Sequence, residues 1–326
     1  MNPLKPASCI LFLVLVVAGA LLMAPFASAR SPIRVGVADQ SPAMFAAPQF
    51  RALKTKRTRY FVPANVMQDG VELAKATNFV NTARAAGIST LLHISTSDLR
   101  AKRGPLVSTT AYKTNVGKIV AYFRKLGVRD FGAWNEVNHK TQETWNHVGN
   151  AVSYFKSMWT TVHARCPTCA VVGLDVLDQA GVATYIASFY KRLSATWRKR
   201  LKVVGIHNYS DVNRGRSTGT STIIKAARKY NRATKFWFTE TGALAAFRGS
   251  FLFNLARQAS RIKNMFTFAT RYRAQGVERV YSYNWFGAQT GGCGSSCLFD
   301  AGLVNPNGTI RPVYTVFKAK LANFSR

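Results

Sequence analysis

Residues 72–94 read ELAKATNFVNTARAAGISTLLHI, and this stretch decides the fold. Glu72–Ala86 places Leu73, Ala76, Phe79, Val80 and Ala83 three and four residues apart, one apolar stripe of a helix. Gly87 then stops the helix, because glycine accepts the left-handed backbone that closes a last turn. Thr90–Ile94 follows, a short and nearly continuous apolar run. Such a run fits a parallel strand buried on both faces.

Read outward from there, the same unit recurs. Further strands are predicted at Ile33–Ala38, Arg59–Pro63, Asp130–Trp134, Ala170–Leu174, Val203–His207, Phe236–Thr239 and Arg279–Tyr283. Helical patterns lie between them at Thr110–Leu126, Trp145–Ala164, Ala180–Trp197, Ser221–Tyr230 and Phe251–Gln275, with a last one at Tyr314–Leu321. The connection after the first strand has the weakest helical pattern. Eight strand–helix units predict an α/β protein of the (β/α)₈ TIM-barrel class, in one domain. No G-x-G-x-x-G follows the first strand, so an open dinucleotide-binding sheet lacks its signature.

The ends of the chain bound this domain. Lys5, the apolar run Cys9–Ala24 and Ala27-Ser28-Ala29 have the order of an export signal with its cleavage site. The expected division is residues 1–29 as signal peptide and 30–326 as barrel, a secreted monomer. The 297 residues that remain suit one barrel of about 250 residues with insertions.

The chain carries 45 Lys and Arg against 13 Asp and Glu, a formal charge of +32. These cations are scattered, with modest clusters at residues 54–59 and 198–200, and no nucleic-acid motif accompanies them. A partner such as an anionic cell-wall polymer or surface is expected, and no specific nucleic acid. Cys9 falls within the leader. Cys166, Cys169, Cys293 and Cys297 remain, an even number in an exported chain. They predict two sequence-local disulfides, Cys166–Cys169 and Cys293–Cys297, with a four-thiolate zinc site as the alternative.

Active sites of such barrels lie where strands exit. Strand four exits through Trp134-Asn135-Glu136-Val137-Asn138-His139, and strand seven through Thr239-Glu240-Thr241-Gly242. Two glutamates at strand exits are conspicuous in a chain so poor in acids. Glycosidic cleavage needs such a pair, one carboxyl to protonate the leaving oxygen and one to attack the anomeric carbon or activate water.

Here the sequence resembles the clan A glycoside hydrolases, retaining (β/α)₈ enzymes with Asn-Glu after strand four and Glu after strand seven. The resemblance implies Glu136 as general acid/base, protonated at the outset, and Glu240 as nucleophile. It implies Asn135 as the partner of the sugar 2-hydroxyl. His207-Asn208-Tyr209 is similar to the clan's His-x-Tyr, in which the tyrosine touches the nucleophile. Trp285, after strand eight, is similar to the tryptophan that lies under the sugar. The segment Gly302–Thr309 with Pro312-Val313-Tyr314 resembles the clan's closing motif. Val137 departs from the proline that often follows the acid/base, so the family within the clan is open. Asp39, Asn65 and His93 are further candidate substrate-binding residues, Asp39 with Gln40 in the glycone pocket. Arg59 is placed at the start of strand two and receives no catalytic role.

The resulting expectation is a secreted glycosidase acting on a poly- or oligosaccharide, without cofactor or metal. A transglycosidase and an inactive wall-associated carbohydrate-binding protein on the same fold are the alternatives.

Overall fold

The computed structural model describes Met1 and residues 30–96, 104–247, 250–288 and 299–326. The expected signal peptide and the Cys293–Cys297 pair lie outside the described residues. Eight parallel strands form the barrel: β1 Ser31–Ala38, β2 Arg57–Pro63, β3 Ser89–Ser95, β4 Asp130–Gly132, β5 Ala170–Leu177, β6 Val203–His207, β7 Lys235–Thr241 and β8 Val277–Tyr283. β2 to β8 follow one another in the sheet, and β8 pairs with β1 in parallel register, Arg34 opposite Arg279 and Ala38 opposite Tyr283. The short strand Phe324–Ser325 adds to the outer end of β1. β1 meets β2 by close approach: a Cβ on Gly36 would lie 2.5 Å from the Arg57 carbonyl oxygen. Only glycine lets the two backbones come that near.

Helices cover the outside, as the apolar stripes require. Gly70–Ala85, which buries Ala76, Phe79, Val80 and Ala83, is capped by Asp69, whose carboxylate accepts the Val71 and Glu72 N–H groups. Two expected helices are interrupted. Ala180–Trp197 divides into Val182–Lys191 and Ala195–Arg200, because Ser194 is extended and caps the second piece through the Trp197 N–H. Trp145–Ala164 begins as a 3₁₀ turn, Glu143–Asn146, before Val148–Arg165. At Ser194 local capping outweighs a continuous apolar pattern.

Alternation along the strands divides the interior into layers. Ala38, Leu91, Val172, Val203, Trp237 and Tyr281 fill the lower barrel. Arg59, His93, Asp175 and His207 lie inside as well, all fully or nearly fully buried. Polar groups of this kind at the centre of a barrel need partners, and they find them in one another.

Charge divides by end. The helices finish beside the starts of the strands, and their last turns carry Arg84, Arg124, Lys125, Arg165, Lys191, Arg198, Lys199, Arg200, Lys225, Arg228, Lys318 and Lys320. Among the described residues only Asp130 and Glu278 are acidic at that end, paired with Arg279 and Lys235. Apart from Met1, the exposed large apolar side chains among the described residues, Val71, Leu106, Trp145, Phe247, Leu252, Phe253 and Ile310, all belong to segments that follow strand exits.

Candidate active site

The exit of β4 is built by its neighbours. Beyond Gly132 the Ala133 N–H donates to the Val172 carbonyl, the Asn135 N–H to Ile94 and the Val137 N–H to Asp175, so both flanking strands hold residues 133–137. Glu136 takes a left-handed backbone with φ of 46°. A glutamate pays strain for that conformation, and such strain collects at functional sites. Gly132 leaves the room that His93 occupies, since a Cβ there would lie 2.1 Å from the His93 ring.

Glu240 owes its direction to an irregular register. Gly205 stands opposite Trp237 and His207 opposite Glu240, two steps on β6 against three on β7. The extra residue reverses the alternation, so Glu240 joins Trp237 and Thr239 in facing inward.

The two glutamates are held by different partners. Glu240 Oε2 accepts from Arg59 Nη1 at 2.7 Å, and its Oε1 accepts from the Tyr209 hydroxyl at 3.1 Å. Glu136 Oε1 lies 2.9 Å from His207 Nδ1, and His139 Nδ1 lies 3.8 Å from Glu136 Oε2. His207 Nε2 faces Asp175 Oδ2 at 2.9 Å, and Nδ1 is 3.7 Å from Glu240 Oε2. Below them Thr239 Oγ1 donates to Asp175 Oδ1. Arg59 also donates to Asn135 Oδ1 through Nη2 and to His93 Nδ1 through Nε, the latter at 3.3 Å.

This network fixes the protons. Burial opposes a charge on His207, but Asp175 and Glu240 outweigh it and push the imidazole up to about 10. His207 is therefore a cation, donating from Nδ1 to Glu136 and holding Nε2 in ion-pair contact with Asp175. Burial, helped by the Arg59 cation, brings His93 down to about 3, so it is neutral and accepts from Arg59. Burial alone would raise Glu136. The His207 hydrogen bond and charge reverse that and hold it below the usual carboxylate range. The expected proton on Glu136 thus rests on His207, 2.9 Å away. Burial raises the Tyr209 hydroxyl well above its ordinary value, with Glu240 adding to the effect, so it stays a donor.

The structure brings Glu136, Glu240, Asn135, His207, Tyr209 and His93 into this network and leaves three expected residues out of it. Asp39 is buried, its Oδ2 accepting the backbone N–H of Trp285 at 3.0 Å and of Phe286 at 2.9 Å, with Oδ1 on Ser41. It ties down the segment after β8 and bonds no member of the network. Gln40 likewise bonds the Phe61 backbone. Asn65 is exposed, precedes a 3₁₀ turn and bonds no member of the network. Trp285 is fully buried, its ring 5.4 Å from Phe50 and 6.0 Å from Tyr314 in edge-to-face contacts, and it has no open face for a sugar. Tyr283, two residues earlier and in phase with the inward Tyr281, lines the cleft instead.

Two central residues escaped the sequence reading. Arg59, set aside as too low in β2, reaches both Glu240 and Asn135. A staggered barrel does not give height from strand position, and an arginine side chain spans the layer. Its legible signal was a cation facing into a buried strand, which must find an anion. Asp175 lies inside β5 under His207, a buried acid that answers this cation.

The cleft above the glutamates has a volume of about 430 Å³, with Leu177, Arg214, Leu244, Phe247, Phe251 and Phe299 among its walls. One ligand-type atom each of Glu136, His207 and Glu240 lies within 4.8 Å of the others, the only such trio among the described residues. The donors suit a divalent cation poorly, since His207 carries charge and the Arg59 cation already occupies Glu240.

A closed barrel of eight parallel strands is the architecture of the (β/α)₈ glycoside hydrolases, and its solved structural neighbours are enzymes of that class. No protein family and no curated protein matches the chain by sequence. Among solved structures it is similar to a glucosidase from Croceicoccus marinus, with a TM-score of 0.65 and 13% identity over 90% of this chain and 68% of that one. It is similar to the GH39 enzyme from Xanthomonas axonopodis pv. citri, with a TM-score of 0.62 and 15% identity over 92% and 69%. It is similar to xylanase 10B from Thermotoga petrophila RKU-1, with a TM-score of 0.58 and 12% identity over 89% and 94%. The chain spans 59% of the exo-β-1,4-mannosidase Op5Man5, which it also resembles in fold.

Proposed function

We propose that the protein is an exported retaining glycoside hydrolase that cleaves β-O-glycosidic bonds of a poly- or oligosaccharide by double displacement. The carrying observation is the pair of glutamates at one cleft, with an oxygen of each within 4.8 Å of the other. Retaining enzymes hold their carboxyl groups about 5–5.5 Å apart, whereas inverting enzymes keep about 6.5–9.5 Å to admit a water between carboxylate and sugar. The short separation supports the first.

Glu240 attacks the anomeric carbon while Glu136 protonates the leaving oxygen, and the bond to that oxygen breaks as the glycosyl-enzyme bond forms. His207 supplies Glu136 with its proton across their hydrogen bond, and Asp175 stabilises the imidazolium. Glu136 then takes a proton from water, which attacks the glycosyl-enzyme and releases Glu240, and that proton passes back to His207. Arg59 and Tyr209 keep Glu240 oriented. Arg59 occupies Asn135 Oδ1, so the amide Nδ2 is the donor available to the sugar 2-hydroxyl. The names of the structural neighbours, which include β-xylosidase, xylanase, exo-β-1,4-mannosidase and β-1,4-galactanase, support a β-glycoside as substrate.

Hydrolysis of a panel of polysaccharides and aryl β-glycosides, beside Glu136→Ala and Glu240→Ala, tests the assignment. Glu240→Ala is expected to be inactive, and Glu136→Ala to regain turnover of an activated substrate when azide is added. No turnover of any glycoside by the parent protein sinks the proposal. Export rests on the leader sequence and is favoured by the Cys166–Cys169 disulfide, a bond of oxidising compartments. An intact mass beginning at Arg30 in the culture medium is the expected result, and a retained leader contradicts it.

A further inference from the structure

The catalytic cleft does not use the charge at the opposite end of the barrel. A helix dipole favours one cation near each C-terminus, yet Ala195–Arg200 ends in Arg198, Lys199 and Arg200, and Lys202 follows at once. There Arg200 lies over two indoles, its Cζ 4.3 Å from the Trp159 ring centre and 4.7 Å from that of Trp197. The indoles meet edge to face at 5.6 Å, and the His163 ring stacks on Trp159 at 4.3 Å. No ion pair or side-chain hydrogen bond engages the Arg200 guanidinium among the described residues. It is a half-buried, oriented fork with free N–H edges, which suits a carboxylate taken up bidentately.

We propose that this end of the barrel, centred on Arg200 between Trp159 and Trp197, is a second glycan-binding site that docks the protein on a uronic-acid polysaccharide. The choice of a glycan rests on the glycosidase reading above. Other polyanions fit less well. A membrane would draw on exposed apolar side chains, and the large ones lie at the strand-exit end. Single-stranded nucleic acid stacks bases on open aromatic faces, and Trp159 is engaged by both His163 and Arg200.

Binding isotherms with polygalacturonate at low and moderate salt test the site, on the mature chain and on its Glu240→Ala form. The triple variant Lys199→Gln/Arg200→Gln/Lys202→Gln is expected to bind at least about tenfold more weakly at low salt. Lys113→Gln/Lys118→Gln/Lys263→Gln removes the same charge from exposed helix sides and is expected to change binding less than about twofold. Arg200→Lys keeps the charge, loses the fork and is expected to fall between them. Turnover of a small aryl glycoside stays unchanged in all three. Equal weakening by the two triples overturns the site. Tighter binding of a DNA duplex or of anionic vesicles than of polygalacturonate overturns its assignment to a glycan. Arg200-dependent binding by a chain that turns over no glycoside keeps the docking site and removes the catalytic reading alone.

Discussion

His207 Nδ1 lies 2.9 Å from Glu136 Oε1, so the residue assigned to donate a proton shares its hydrogen bond with a buried imidazolium. In the proposed mechanism the pair, and not Glu136 alone, is the acid. Its proton is stored on His207, which its carboxylate neighbours push up to about 10. In His207→Gln the charge that lowers Glu136 is gone, and burial, the largest influence on this carboxyl, then raises it. The alkaline limb of kcat against pH is expected to move to lower pH, with a fall in kcat on the order of 10²-fold, typical of lost acid catalysis. An unchanged alkaline limb, in a variant that keeps its fold, refutes the shared proton.

His207 and His93 give the fold opposite pH responses. His207 has its folded value raised, so the stability it adds is complete below about 6.5, its unfolded value, and is lost as pH rises toward about 10. His93 has its folded value lowered to about 3, so its contribution is complete above about 6.5 and is lost as pH falls toward that value. Urea unfolding from pH 3 to pH 10 is expected to give a maximum near neutrality. His207→Gln should flatten the alkaline side, and His93→Gln the acid side.

Arg59 joins Glu240, the nucleophile of the proposed mechanism, to Asn135, and neither lysine nor a neutral residue can do both. Arg59→Lys retains a cation for Glu240 but lacks the planar fork that reaches Asn135 Oδ1 at the same time. A loss of about 10²–10³-fold in kcat/KM is expected, the scale of losing one preorganised partner of the reacting groups. Arg59→Met removes the buried cation nearest Glu240 and is expected to cost about 3–5 kcal/mol as well. Kinetics and thermal unfolding of the two variants separate the effects. Full activity in Arg59→Met removes Arg59 from the site.

Most of the barrel was legible because buried parallel strands must be apolar on both faces, and Thr90–Ile94 or Val203–His207 has no other reading. The glutamates were legible through scarcity: strand exits with an acid are few in this chain. What alternation decides was harder to read. A register irregularity between β6 and β7 turns Glu240 inward, and nothing in residues 236–241 announces it. Asp39 looked like a pocket residue because it follows a strand, but its Oδ2 accepts backbone N–H groups 246 and 247 residues away in sequence. Contacts of that range belong to the closed barrel and leave no local trace.

Trp285 and Tyr283 show the consequence of phase. Trp285 follows β8 by two residues, and its ring packs wholly among Phe50, Phe286 and Tyr314. Trp285→Ala is expected to cost about 3–5 kcal/mol of stability, as for other buried aromatics, and to leave KM near the parent value where the variant folds. Tyr283 ends β8 on the inward side, half-buried, with its ring 6.4 Å from Phe61 and 6.0 Å from Phe299 beside the open cleft. Removing that face deprives a bound sugar of its apolar support without opening a sealed core. Tyr283→Ala is therefore expected to raise KM about tenfold or more, the scale of one lost aromatic contact of about 1.5 kcal/mol, with little change in unfolding temperature. The reverse pattern, a loss of binding in Trp285→Ala and a loss of stability in Tyr283→Ala, would return the sugar platform to Trp285.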